Sequence, residues 1–241
     1  MAPSLSPAGP PPAPFTPWVP QGTVYGTLLN FRREWDLWSP RMSQDPYKAP
    51  PRAPVLYVKS ANTFAAAGQP LWLQDGVSAA QPGATLGLVM GDDGQPQWAV
   101  LLCDWSLPHD SYYRPAVRYR CRDGFLGLPA RPTACKRLED WSELVIETRV
   151  QGRLVQRTDL ATLRRGPRSL LDELGEFMTL RAGDVLMVGT DAVEAAGEGD
   201  SSGRPLCGDG DVVEISAPGF EPVVQAVRVG PPVHDLQGGS A

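Results

Sequence analysis

Residues 111–125 read SYYRPAVRYRCRDGF, and working outward from this stretch decides how the rest of the chain is read. Its guanidinium at Arg114 suits a substrate carboxylate, because the planar fork of an arginine matches two carboxylate oxygens at once. A plainer use is open too: Arg114 and Arg122 could pair with Asp104, Asp110 or Asp123 and simply tie loops together. Two more blocks flank it. Residues 46–63 read PYKAPPRAPVLYVKSANT, in which prolines hold an extended lead-in to a buried strand at 55–60. Residues 177–190 read FMTLRAGDVLMVGT, the end of a helix, an Ala182-Gly183-Asp184 turn and a strand from Val185 to Val188.

Around these blocks the pattern is mainly β. A short strand over TVYGTLLN ends at Asn30 and is followed by FRREWDLW, which suits a short helix or lid carrying Trp35 and Trp38 as lid or interface anchors. Ala84 to Met90 and Gln97 to Cys103 form a hairpin about the Gly91-Asp92-Asp93-Gly94 turn. A second hairpin spans Trp141 to Val150 and Arg153 to Gln156 about Gln151-Gly152. Leu170, Leu171, Leu174, Phe177 and Met178 share one face of a helix over Ser169–Met178, with Pro167 just outside it. Val212 to Ile215 and Val223 to Val229 close the chain as strands. Residues 1–20 are proline-rich and nearly uncharged and suit a disordered tail, residues 21–230 one domain, residues 192–210 a polar surface insertion, and residues 231–241 a flexible end.

Composition narrows the classes. At 241 residues, with 42% hydrophobic and 20% charged residues, the chain can bury one large core. The 26 prolines and 25 glycines imply many turns. A net charge of −5 argues against general nucleic-acid binding. No apolar run approaches the ~20 residues that span a bilayer, and Met1 is followed by no basic and apolar leader. Four cysteines, at 103, 121, 135 and 207, lack zinc-ligand spacing, and free thiols in the cytoplasm are the expectation. Asp209 and Asp211 in GDGD lack the glycine that an EF-hand loop requires, so a turn is expected there. No G-x-S-x-G elbow is present. His109, in a polar loop, is a candidate for proton transfer, although no orienting group is evident.

The three quoted blocks, in their order, resemble the fumarylacetoacetate hydrolase family, and the likeness extends over roughly Gly22 to Val229. Within it the nearest likeness is to one half of the two-part isomerase/decarboxylases of aromatic catabolism. The resemblance implies an α+β, mostly β fold: a mixed sheet rolled about a central pocket, with few short helices. It also implies Mg²⁺ or Mn²⁺ holding a 2-oxo or 2-hydroxy-dienoic acid during isomerisation, decarboxylation or C–C cleavage. A cation that grips the developing enolate oxygen lowers the barrier to such steps. It further places Lys59, Tyr112, Tyr113, Arg114, Arg120 and Thr190 along a pocket for a small di- or tricarboxylic acid, with Arg120 where a lysine is usual.

This sequence departs from the family at the chemistry. Active members supply a Glu-x-Glu strand and a downstream Asp as hard oxygen ligands. Residues two apart on a strand face the same way, which explains that spacing. Here Gly83 and Thr85 stand at the two glutamates, and Asp104 alone is retained. The lid's His-x-x-Glu pair is replaced by Glu34 and Leu37, with Glu34 either a substitute base or an ordinary surface glutamate. Asp104 is either a remnant ligand or a strand-end carboxylate accepting backbone hydrogen bonds. Gly189-Thr190-Asp191 stands at the family's Gly-Thr-Pro turn, and the GLP at 127–129 departs from the family's P-I-G. The expectation is a weak or absent metal site in a chain that oligomerises with itself or with a homologous catalytic subunit. A metal-free carboxylate-binding or structural module, and a chain active by itself, are the alternatives.

Overall fold

The computed structural model describes residues 16–74, 76–109, 116–135, 137–193 and 203–230. The expected mostly β architecture is present. The larger sheet has eight strands, seven of them ordered 55–59, 24–28, 185–187, 84–90, 96–104, 126–127 and 64–65, with 133–134 branching from 96–104. Strand Val24–Leu28 runs parallel to Val185–Met187 and antiparallel to Val55–Lys59, so the sheet is mixed. A second sheet of five strands runs 153–159, 145–150, 212–216, 223–229 and 71–73. Three α-helices are described: α1 (Arg32–Trp38), α2 (Ala116–Arg120) and α3 (Pro167–Gly175). No described helix is long and apolar enough to cross a membrane.

Strand Ala84–Met90 is buried at every position, which explains its unbroken apolar run. One face joins Leu86, Leu88, Leu101 and Cys103 to Ile146, Ile215 and Val223 of the second sheet. The other face meets Val24, Leu28, Tyr57, Val100, Leu102 and Leu126. The candidate site lies on this second face. Both hairpins read from the sequence form, and Gln151 and Gly152 each take positive φ in the second turn.

Several expectations are corrected. Strand Val55–Lys59 pairs on one side only, as a sheet edge, and Val58 is 45% exposed rather than buried. Helix α3 starts at Pro167 and ends at Gly175, because proline fits a first turn, and Phe177 lies beyond it at 64% exposure. Trp141 falls in a 3₁₀ turn rather than a strand. The packed domain begins before residue 21: the Trp18 amide donates to the Ala130 carbonyl at 2.9 Å, and Pro20 is buried. The insertion expected over 192–210 is narrower at the surface, since Ala192, Arg204 and Cys207 are buried and Cys207–Gly208 pairs with Ala79–Ala80. Trp38 is a core anchor, 5% exposed, and Trp35 packs against the same cluster. Residues 1–15, 194–202 and 231–241 fall outside the described residues, and so do the expectations placed on them.

Candidate functional site

The hairpin register sets the site. Ala84 pairs with Cys103 and Thr85 with Leu102, so Gly83, Thr85, Leu102 and Asp104 share one face. The three positions read from the family's ligand pattern therefore do converge. Next to them, Tyr57 and Lys59 come from the edge strand, two residues apart and on a common face. Gly26 lies opposite Tyr57, and a Cβ there would sit 2.1 Å from the tyrosine ring. The absence of a side chain at Gly26 lets the Tyr57 ring cross its neighbouring strand and reach Asp104.

Asp104 is fully buried and surrounded by cations. Lys59 Nζ lies 2.7 Å from Oδ1, and Arg120 Nη1 donates to Oδ2 at 2.6 Å. The Tyr57 hydroxyl also donates to Oδ2. Lys59 Nζ donates further to the carbonyls of Phe125 at 2.8 Å, Trp105 at 3.4 Å and Arg120. Burial alone would raise the Asp104 pKa, but Lys59 and Arg120 outweigh it and hold the carboxyl below its ordinary value. Burial lowers the Lys59 ammonium, with Asp104 opposing. Burial and the Asp104 charge push the Tyr57 phenol well up. The expectation of backbone donors to Asp104 is thus corrected: the side chains of Lys59, Arg120 and Tyr57 hold its carboxylate.

A second group adjoins the first. Arg204 Nη2 donates to Thr190 Oγ1 at 2.7 Å, and Arg204 Nε donates to the Asp191 carbonyl at 3.0 Å. The same guanidinium stands 3.7 Å from Glu34 Oε1. Glu34 Oε2 accepts the Leu29 amide at 2.7 Å, and Leu29 holds φ at 60°. Glu34 is 4% exposed, so it is no surface residue. Burial pushes its pKa up to about 7, against the pull of Arg204, Arg120 and the Leu29 amide. Arg33 Nη1 lies 3.7 Å from Asp191 Oδ2. Leu37, where the family pattern has a glutamate, is 40% exposed.

Lys59, Asp104 and Arg120 are therefore brought together, and Glu34 and Thr190 lie beside them through Arg204. His109 stacks on Tyr119 with ring centroids 4.5 Å apart. Tyr112, Tyr113 and Arg114 lie outside the described residues. Sequence reasoning passed over Tyr57, although its spacing from Lys59 on one strand placed both on one face. It also passed over Arg204, because a lone arginine in a polar stretch carries no local signal. Asp209 and Asp211 accept the Val229 and Gly208 amides, as the turn reading requires.

A divalent cation does not fit these residues. Gly83 and Thr85 offer one hydroxyl between them, and Thr85 Oγ1 already faces the Leu86 carbonyl at 3.4 Å. Both Asp104 oxygens are engaged by positive groups within 2.7 Å, so an incoming cation would have to displace Lys59 and Arg120. Nor is there room to restore a glutamate: a Cβ at Gly83 would sit 2.7 Å from Thr190 Cγ2 and 2.8 Å from the Asp104 carbonyl oxygen. Among the described residues no group of three or more His, Cys, Asp or Glu could hold a metal. A cavity of about 560 Å³ beside α3 is lined by none of the cluster's residues.

Comparison with known proteins follows the same outline. The family described as "Fumarylacetoacetate (FAA) hydrolase C-terminal" matches residues 23–228. The chain is 34% identical over 217 residues to the Escherichia coli 4-hydroxyphenylacetate degradation bifunctional isomerase/decarboxylase, covering 86% of this chain and 47% of that one. It thus spans about half the length of that relative. Among solved structures, a 2-keto-3-deoxyarabinonate dehydratase superposes with a TM-score of 0.70 at 15% identity, covering 88% of this chain and 75% of the other. A 2-hydroxyhepta-2,4-diene-1,7-dioate isomerase from Mycobacterium marinum superposes with a TM-score of 0.62 at 16% identity, covering 86% and 74%. At these identities the superpositions speak for the fold alone.

Proposed function

The chain belongs to the fumarylacetoacetate hydrolase family, and from that premise we propose that it is the metal-deficient subunit of an isomerase/decarboxylase of 4-hydroxyphenylacetate (homoprotocatechuate) catabolism. The reactions are isomerisation of 2-hydroxyhepta-2,4-diene-1,7-dioate and decarboxylation of 5-oxopent-3-ene-1,2,5-tricarboxylate. The observation that carries the reading is Asp104, the one family ligand retained, ion-paired to Lys59 and Arg120 and faced by Gly83 and Thr85. A homologous subunit with Glu-x-Glu, the aspartate and the lid dyad would carry the metal and the chemistry.

In this chain the own residues act electrostatically. Lys59 and Arg120 keep the buried Asp104 ionised and fix Tyr57 between two strands, which makes a rigid wall without a metal. In the metal-bearing partner, Mg²⁺ or Mn²⁺ would supply the positive charge that stabilises an enolate oxygen. The test is to purify the chain alone and together with a homologue bearing the intact ligands, then to assay Mg²⁺-dependent decarboxylation. Activity only in the mixture supports the proposal; full activity of the solitary chain overturns it.

One observation favours a second reading, in which this chain is active by itself. Glu34 stands at the position of the lid histidine, and burial pushes its pKa up to about 7, close to where a general base is most effective. Under that reading the solitary chain turns over substrate and Glu34→Gln abolishes the turnover.

A further inference from the structure

At the edge of the five-stranded sheet, the face turned to the core is polar. Strands Val145–Val150 and Arg153–Asp159 pair antiparallel, with Ile146 opposite Thr158 and Thr148 opposite Gln156. Residues two apart on a strand share a face. Ile146, Thr148, Gln156 and Thr158 therefore lie together, and none is more than 4% exposed. On the next strand Ile215 stands opposite Thr148, and with Ile146 it belongs to the apolar core.

Three oxygens of this strip have no hydrogen-bond partner among the described residues: Thr148 Oγ1, Thr158 Oγ1 and Gln156 Oε1. Burial removes such groups from bulk water, and a buried polar atom left unpaired is rare because it is costly. The Gln156 amide is oriented by its other end: Nε2 donates to the Asp191 carbonyl at 3.2 Å, which turns Oε1 away from that carbonyl. The same carbonyl accepts Arg204 Nε at 3.0 Å, and Arg204 Nη2 donates to Thr190 Oγ1 at 2.7 Å.

We propose that this strip is an internal hydration site, where an ordered water bridges Gln156 Oε1 to the hydroxyls of Thr148 and Thr158. The donors and acceptors balance. Gln156 Oε1 can only accept, whereas each threonine hydroxyl donates one proton and also accepts. One water donates to Gln156 Oε1 and to one threonine, and accepts from the other, the three bonds usual for a buried water. Side chains directly opposite on paired strands have Cβ atoms about 5 Å apart and diagonal ones about 7–8 Å apart, spans that a water-mediated contact covers. Three neutral oxygens would also suit a monovalent cation. The buried Arg204, which shares the Asp191 carbonyl with Gln156, sets a positive charge beside the strip and disfavours one. The water keeps the Gln156 amide turned towards Asp191, so the second sheet braces the turn that carries Thr190 and Asp191. This bracing holds whichever reaction the chain serves.

Water–protein NOE spectroscopy of the full chain tests it. Cross-peaks from a long-lived water to the side chains of Thr148, Gln156 and Thr158 are expected, unchanged when choline replaces Na⁺ and K⁺ in the buffer. Thr148→Val and Thr158→Val exchange a hydroxyl for a methyl of similar size. Each should weaken the cross-peaks at the other two residues and lower the urea midpoint, because the water loses one of its bonds. A hydroxyl that had no partner would give the opposite result, since its removal leaves stability unchanged or raises it. If a valine variant does not fold, the wild-type cross-peaks decide. A wild-type chain without those cross-peaks, cross-peaks that depend on the cation, or a midpoint that stays or rises in either valine variant would each overturn the proposal.

Discussion

Asp104 shows how one residue's role turns on its neighbours. A buried carboxylate pinned by an ammonium and a guanidinium is costly to disrupt, because removing one partner leaves buried charge uncompensated. Asp104→Asn is expected to destabilise the chain by about 3–5 kcal/mol in urea unfolding. The pH dependence has two opposed parts. The Asp104 pKa is depressed, so its contribution is present above the ordinary value of 3.8 and is lost as pH falls through the folded value. The Glu34 pKa is raised, so its contribution is present below 4.5 and is lost as pH rises through about 7. The Glu34 shift corresponds to about 3 kcal/mol between pH 4.5 and pH 8. Urea midpoints of Glu34→Gln against the wild type across that window check it, and a wild-type curve no steeper than the variant's would contradict the assignment.

At the scale of elements, the hairpin over residues 84–104 does the positioning. Its register sets Gly83 across from Asp104, yet the space a glutamate would need is taken by Thr190 and the Asp104 carbonyl. Gly83→Glu is therefore expected to cost about 1–3 kcal/mol from overpacking and to gain no metal affinity. Thermal unfolding and calorimetric titration with Mn²⁺ read both parts. The edge strand behaves likewise: Gly26 opposite Tyr57 is what allows the ring to cross to Asp104. Gly26→Leu would push the ring off its hydrogen bond. Stability should then fall by at least as much as for a lost buried hydrogen bond, about 1–3 kcal/mol, measured against Tyr57→Phe.

For the whole molecule, the prediction is metal indifference. Neither chelator nor millimolar Mg²⁺ or Mn²⁺ should move the Tm of the isolated chain, because a ligand stabilises only the state that binds it. A clear rise in Tm with Mn²⁺ would instead show that the cation displaces Lys59 or Arg120. Much of this was legible in the primary structure: most strands and both hairpins follow from alternation and turn chemistry, which are local, and the family resemblance singled out positions 83, 85 and 104. The sequence also names what is missing there, since Gly83 and Thr85 are read directly. Tertiary structure alone decided what replaced it. Arg204 is 170 residues from Glu34 along the chain, and Lys59 and Arg120 reach Asp104 from two separate elements. Burial and long-range charge pairing are properties of the folded chain, and no local pattern encodes which distant side chain will share a desolvated site.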